Sequence, residues 1–503
     1  MKTSGFALGS DQLTTKKLVV LSQEPNPELS FGADVVERLR AQRSMLTKLL
    51  AEDKALYGIN TGFGFLSSVR IPDADLQQLQ VNLIRSHACG MGEPLSQEAV
   101  RGLLVVKAHN LALGGSGVRP DCIEKIIEFL KHDILPMIPI QGSVGASGDL
   151  APLAHLAMGL LGEGEVYYKG QRESAASALR KAGVKPFRPE FKEGLSLING
   201  TQFMTVISAH AFEEARTIFE SSLTISALSI DAFQGSIRPF DPRIHALRPH
   251  RGQSYVAKRI LSHFSAPDEI LENHAQCNKV QDPYSFRCIP QVYGATYDAL
   301  CFVDSILQVE LNSVTDNPLV FEGGQVVSGG NFHGQSVSMA MDFLAIAVSE
   351  IASLSERRID RMISPQSSGL STFLVKKEGL NSGFMIPQVT AAALVSENKV
   401  LSHPASVDSI PTNVGKEDHV SMGPFAARKA AQVVQNVAKV LAIELLTACQ
   451  ALDFLKPLKP GPALLKIYER VREQVSFMEE DRSLSAELMM MEKQIRAGVF
   501  IHE

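Results

Sequence analysis

The densest chemical signal in the chain is GSVGASGDLAPLAH at residues 142–155. Its first half is too rich in glycine and serine for regular structure, yet it runs straight into an apolar helical pattern. Three readings compete. In the plainest, a tight loop caps the next helix, with Asp149 or Ser147 as the N-cap. A phosphate cradle is the second, but GxGxxG is absent and no Lys-Ser/Thr follows the glycines, which excludes a Walker A loop and leaves a poor dinucleotide site. In the third, Ala146-Ser147-Gly148 places a small residue, a dehydratable serine and an unhindered glycine amide in sequence. The Gly148 nitrogen would attack the Ala146 carbonyl carbon, and loss of two waters, one involving the Ser147 hydroxyl, would leave an exocyclic methylidene. Ordinary side chains supply no such electrophile.

Taken with the rest of the chain, this loop resembles that of the aromatic amino acid ammonia-lyase and aminomutase family, most closely its histidine-type members. The resemblance is carried, in family order, by YGINTGFG (57–64), NLIRSHACGMG (82–92), GSVGASGDLAPLAH, EGLSLINGTQ (193–202), VQDPYSFRCIPQV (280–292), GGNFHGQ (329–335), LNSGFM (380–385) and EDHVSMG (417–423). It implies that Ala146, Ser147 and Gly148 cyclise into a methylidene-imidazolone (MIO) prosthetic group, with no diffusible cofactor. It further implies non-oxidative elimination of ammonia from L-histidine to give trans-urocanate, the first step of histidine degradation. A β-hydrogen of histidine is barely acidic and an amine is a poor leaving group, so both ends of the elimination need help. Attack on the electrophile by the substrate amine and by its imidazole ring are both open; amine attack is favoured, because it makes nitrogen the leaving group.

The resemblance also assigns residues. Tyr57 matches the family's tyrosine in a loop that Gly58, Gly62 and Gly64 keep adaptable, and a tyrosine with an unperturbed pKa of about 10 must be poised by neighbours to act as the base. Tyr284 in DPYSFRC is the rival base or a proton donor. Arg287 follows three residues later, one helical turn on if the segment is helical, and its planar fork suits the substrate carboxylate. Asn199 and Gln281 match family positions near the prosthetic group, where amides would polarise its carbonyl and orient the substrate. Phe332 matches an aromatic at the substrate pocket. His87 and Glu417 are the histidine-type residues at two positions that differ in family members acting on phenylalanine or tyrosine. A buried imidazole needs a partner for each ring nitrogen, whereas a phenyl ring would leave Glu417 desolvated and unpaired.

Outside these motifs each residue has a bland reading: a packed tyrosine, a solvated arginine, loop or capping amides, and an ion pair of Glu417 with Lys416 or Arg287. Lys416 and Asn413-Val414-Gly415 depart from the family, which usually reads QEDH after a short polar stretch. Pairing with Lys416 would weaken the role of Glu417 toward imidazole. The alternatives kept are a tyrosine or phenylalanine ammonia-lyase, or a 2,3-aminomutase, with the same electrophile; from another class, a non-catalytic helical scaffold or nucleotide-binding protein. The fumarase and aspartase group also builds a bundle of long helices, but its signature loop is missing.

These residues must be positioned by helices. Gly and Pro end or kink helices, and among the stretches that lack both, four stand out: 201–234, 295–317, 335–364 and 425–456. At 1.5 Å per residue the longest spans roughly 50 Å. In the third, Val337, Met341, Leu344, Val348, Ile351 and Leu354 follow helical spacing while Ala340, Ala345, Ala347 and Ala352 keep the remaining surface small, so this helix wants neighbours on several sides. The first 200 residues differ, with shorter patterns at 34–51 and 123–131 between loops rich in Gly and Pro. Strand signals are sparse, the best being 164–170 and a hairpin at 319–327 around Gly323 and Gly324. The expected fold is mainly α. A head of short helices and loops, 1–200, carries the MIO loop, and 201–503 forms a long-helix bundle with C-terminal helices. Four copies complete that bundle, and by resemblance the Tyr57, Tyr284 and Glu417 motifs meet from different chains.

Composition bounds the rest. A chain of 503 residues exceeds one hydrophobic core. Lys plus Arg number 49 against 54 for Asp plus Glu, a net charge of −5, which leaves no basic excess for nucleic acid. Hydrophobic residues at 45% and charged ones at 20% fit a soluble globular enzyme. The first residues form no signal-like apolar run and no 18 apolar residues are uninterrupted, so a cytoplasmic protein without a membrane partner is expected. Cys89, Cys122, Cys277, Cys288, Cys301 and Cys449 have no ligand spacing, which suggests reduced, mostly buried thiols and no metal.

Overall fold

The four stretches singled out above become the four longest helices of the computed structural model, which describes residues 5–52, 55–274 and 280–502. They are Gln202–Ala232, Ile289–Leu311, Gln335–Ile363 and Gly423–Phe454. Helix accounts for 60% of the structure against 7% strand, so the chain is mainly α as expected. The second helix departs from its expected limits: it begins at Ile289, takes in Pro290 and Gly294, and stops at Leu311. Pro290 is tolerated because a helix's first turn needs no intrahelical N–H bond. Gly294 is required by packing, since a Cβ there would lie 2.4 Å from the backbone nitrogen of Gln253 on the Arg251–Leu261 helix.

Two compact units divide the residues. The first takes the chain up to 210 together with 304–342 and 404–428. At its centre the Gln97–Ala112 helix is buried on every side, between the Thr15–Gln23 and Pro120–Lys131 helices. A helix apolar around its whole circumference belongs in a core. The helices Leu76–His87, Leu150–Leu160 and Glu193–Ile198 pack against one another. That triangle positions the site, because the first ends in His87, the second follows the Ala146-Ser147-Gly148 loop and the third leads into Asn199. The signal at 164–170 is a strand, Glu165–Tyr168, between Ile134–Pro136 and Gln171–Ser174 in an antiparallel sheet. The hairpin expected at 319–327 is Leu319–Val320 against Val326–Val327, with Gly323 and Gly324 at positive φ in its turn.

The second unit comprises 211–303, 343–403 and 429–503. Its core holds an ion pair with both partners fully buried. Arg358 donates through Nε to Glu444 Oε1 at 2.5 Å and through Nη2 to Oε2 at 2.9 Å. Ser229 Oγ also donates to Glu444, and Arg358 donates to the Tyr293 hydroxyl and to the Ser285 carbonyl. Fork geometry and the extra partners offset the desolvation of both charges.

One expectation needs adjusting. Of the five described cysteines, all free, only Cys122 and Cys449 are buried; Cys288 and Cys301 are half-buried and Cys89 is exposed, while Cys277 lies outside the described residues. Thiol burial follows the tertiary position, which scattered spacing does not reveal. The Gln335–Ile363 helix is long and apolar enough by composition to cross a membrane, although more than half of its most apolar stretch is buried within the protein. Asp342, inside that helix, is buried and accepts from the Ser406 N–H at 2.7 Å.

Candidate active site

The Ala146-Ser147-Gly148 loop is pinned from two sides. On one, Gly148 and Gly200 form a parallel bridge, with the Asp149 N–H donating to the Gly200 carbonyl at 2.8 Å. Gly148 has φ +71°, and a Cβ on it would sit 2.1 Å from the Gly200 oxygen, so no other residue fits. On the other, the Met422 N–H donates to the Val144 carbonyl and Ser421 Oγ to that of Gly145. The loop thus lies between the INGTQ and EDHVSMG motifs. Asp149 takes the N-cap position of the Leu150–Leu160 helix but makes no side-chain cap there.

A cavity of about 930 Å³ opens beside this loop, and Tyr57, His87, Ser147, Asn199, Phe332 and Glu417 all line it. Ser147 Oγ donates to Glu417 Oε1 at 3.4 Å. The Glu417 carboxylate also accepts from Thr412 Oγ1 at 2.6 Å and from Asn413 Nδ2 at 3.4 Å. Among the described residues it makes no ion pair with Lys416, which is exposed on the same rim. Asn413 Oδ1 in turn accepts from the Phe65 N–H, tying the Tyr57 loop to Glu417. Among the described residues, the Tyr57 hydroxyl accepts only a long bond, 3.5 Å, from the Gly64 N–H.

His87 Nδ1 lies 2.8 Å from the Leu83 carbonyl. A carbonyl can only accept, so Nδ1 carries the proton and Nε2 is left as an acceptor. Burial pushes this imidazole below its usual pKa, against the pull of the Leu83 carbonyl and Glu417. His87 is therefore neutral at physiological pH.

Three residues of the sequence-derived set are not in this cavity. Gln281 and Arg287 line another, of about 610 Å³, in the second unit. Tyr284 begins the short Tyr284–Arg287 helix and is 70% exposed. The one-turn spacing holds: the Arg287 guanidinium lies 4.5 Å from the Tyr284 ring centre, and its Nε donates to the Asp282 carbonyl.

Sequence reasoning missed the layer behind Asn199. Asn199 Nδ2 donates to Asp316 Oδ1 at 3.0 Å and to the Asn317 carbonyl at 3.1 Å. Asp316 is paired with the fully buried Lys192 at 2.7 Å. Lys107, also buried, donates to the Asn199 carbonyl at 2.8 Å, and burial lowers its pKa to about 8 against the attraction of Asp316. The one available signal was a lysine inside the otherwise apolar run of the Gln97–Ala112 helix.

The Ala146-Ser147-Gly148 geometry fits a cyclised loop. Gly148 is side-chain-free at a close approach, Ala146 is small and buried, and Ser147 reaches the cavity.

The aromatic amino acid lyase family model matches residues 13–473. Histidine ammonia-lyase of Myxococcus xanthus is 49% identical over 500 residues, covering 99% of this chain and 98% of that protein. The enzyme of the same name from Deinococcus radiodurans is 50% identical, covering 94% and 90%. Among solved structures, histidine ammonia-lyase from Trypanosoma cruzi superimposes with a TM-score of 0.90 at 43% identity, covering 98% of this chain and 94% of that one. Tyrosine aminomutase from Streptomyces globisporus gives 0.93 at 34% identity, covering 99% and 98%.

Proposed function

The chain belongs to the aromatic amino acid lyase family, and from that premise we infer that it is a carbon–nitrogen lyase eliminating ammonia from L-histidine to give trans-urocanate. The observation that carries the substrate is the gathering of His87 and Glu417 around the same cavity as Ser147. His87 offers an acceptor nitrogen and Glu417 a carboxylate, which suit the two N–H groups of a protonated imidazole ring and leave a phenyl ring without partners.

In this reading Ala146, Ser147 and Gly148 form the MIO group, which supplies an electrophile for the amine end of the substrate. The chain's other residues bind and move protons. Glu417 and His87 hold the ring, Phe332 packs on it, and Arg287 takes the carboxylate as a bidentate pair. Asn199 and Gln281 orient the substrate. The β-proton goes to a tyrosine, with Tyr57 and Tyr284 the two candidates.

Tyr284, Gln281 and Arg287 reach the site from a neighbouring copy in a homotetramer. Support for association comes from apolar side chains left exposed on the second unit, among them Phe302, Phe343, Ile346, Ile386, Val389 and Val400. The head, 1–200, and the long-helix core, 201–503, are the parts such an assembly would use. The protein works in the cytoplasm on a small molecule, without nucleic acid or membrane.

The test compares turnover of L-histidine, L-tyrosine and L-phenylalanine, and the near-ultraviolet absorbance of the wild type with that of Ser147→Ala. Histidine is the preferred substrate, and the variant folds but loses both absorbance and turnover. A preference for tyrosine would overturn the substrate, and full activity of Ser147→Ala the electrophile.

A further inference from the structure

Both hydrogens of the Asn199 amide are taken up by the protein. Asp316 Oδ1 and the Asn317 carbonyl, the two partners of Nδ2, can only accept. The nitrogen must therefore occupy that branch of the amide, and Oδ1 the other. Oδ1 is buried and, among the described residues, has no hydrogen-bond partner. Asn199 lines the cavity, and a buried acceptor without a donor is costly, so the donor is expected to arrive with whatever fills that cavity.

A buried charge cluster fixes this orientation. Asp316 is 3% exposed and Lys192 fully buried, and Lys192 Nζ also donates to Ser196 Oγ at 2.9 Å. Burial opposes ionisation of Asp316, but Lys192, Lys107 and the Asn199 amide outweigh it and hold the carboxyl below its usual range. An ionised carboxylate has no proton to donate, so turning the amide over would set oxygen against oxygen.

L-Histidine carries donors on its ammonium group and its ring, and none on its carboxylate. The ring is already assigned to His87 and Glu417. We propose that Asn199 Oδ1 accepts a hydrogen bond from the substrate's α-ammonium group, and that Asp316, paired with Lys192, is the positioning residue that turns the amide this way. This role replaces polarisation of the prosthetic group's carbonyl by Asn199, which would need a free amide N–H. It rests on reading the cavity as an amino acid site.

The test measures binding of two unreactive ligands to the whole enzyme by calorimetry: D-histidine, which has the amino group, and 3-(imidazol-4-yl)propanoate, which lacks it. The variants are Asn199→Leu, the double change Asp316→Leu/Lys192→Met, which removes both charges together, and Lys192→Met alone. The last lets Asp316 take a proton and donate to Oδ1, and it serves if the double variant does not fold. In each variant D-histidine should weaken about tenfold and the propanoate by less than about twofold, the loss of one hydrogen bond to a charged group. If Asn199→Leu discriminates between the ligands but the charge variants weaken both alike or neither, the positioning role of Asp316 is wrong and the site reading stands. If Asn199→Leu changes neither ligand, the placement of Asn199 at the substrate fails.

Discussion

Asp149 directly precedes the Leu150–Leu160 helix, yet its carboxyl serves a different one: the Met204 N–H, in the first turn of the Gln202–Ala232 helix, donates to Oδ2 at 2.9 Å. The Asp149 backbone N–H meanwhile holds the Gly200 carbonyl. One residue thus ties the Ala146-Ser147-Gly148 loop to the start of a long helix. Burial is complete and raises its carboxyl pKa to about 7, outweighing the bonds from Met204, Ser143 and Phe203.

That value gives stability a pH dependence. An unfolded aspartate titrates near about 3.9, so between pH 4 and 7, roughly, the folded state binds more protons than the unfolded one and stability falls as pH rises. Asp149→Asn keeps an acceptor for Met204 without the titration. Its Tm relative to wild type should therefore increase from pH 5 to pH 8. A difference that does not change with pH would mean that Asp149 is ionised throughout.

Gly148→Ala should behave differently from Ser147→Ala. The alanine Cβ meets the Gly200 oxygen and is strained at positive φ, which costs about 1–3 kcal/mol before any neighbour moves. We expect a lowered Tm as well as loss of absorbance and turnover, whereas Ser147→Ala keeps the wild-type Tm. Equal thermal stability of the two variants would contradict the close approach of Gly148 to Gly200.

Shared sites between copies can be tested by mixing. Tyr57→Phe and Tyr284→Phe should each be nearly inactive alone. In randomly reassembled tetramers of the two, about a quarter of sites would receive both tyrosines if they come from different chains. No recovery on mixing would place both in one chain.

Glu417→Gln should damage histidine turnover far more than any residual activity on tyrosine or phenylalanine. A hydrogen bond to a charged group contributes about 1.5 to 3 kcal/mol, which is roughly tenfold to a hundredfold in kcat/KM for histidine. An equal loss on all three substrates would give Glu417 a structural role.

Much of this protein was legible along the chain, because punctuation by Gly and Pro and helical spacing are local properties. They located the four long helices, and failed at the Ile289 end, where tolerance of Gly294 depends on the distant Gln253 backbone. Motif reading picked out residues from six separate segments that line one cavity: Tyr57, His87, Ser147, Asn199, Phe332 and Glu417. It could not say that Tyr284, Gln281 and Arg287 line no part of that cavity, since a motif carries residue type and order but not position in space.

What only the tertiary structure decided are pairings between residues far apart in sequence. Lys192 and Asp316 are separated by 124 positions, and each alone reads as a solvated charge. Lys416 stands next to Glu417, and the sequence offers it as the obvious partner. The fold instead brings Glu417 within reach of Ser147, 270 positions away, beside its near neighbours Thr412 and Asn413. Whether a charge is paired or left for a ligand depends on which groups the packing of distant segments brings within hydrogen-bond distance, and no local pattern encodes that distance.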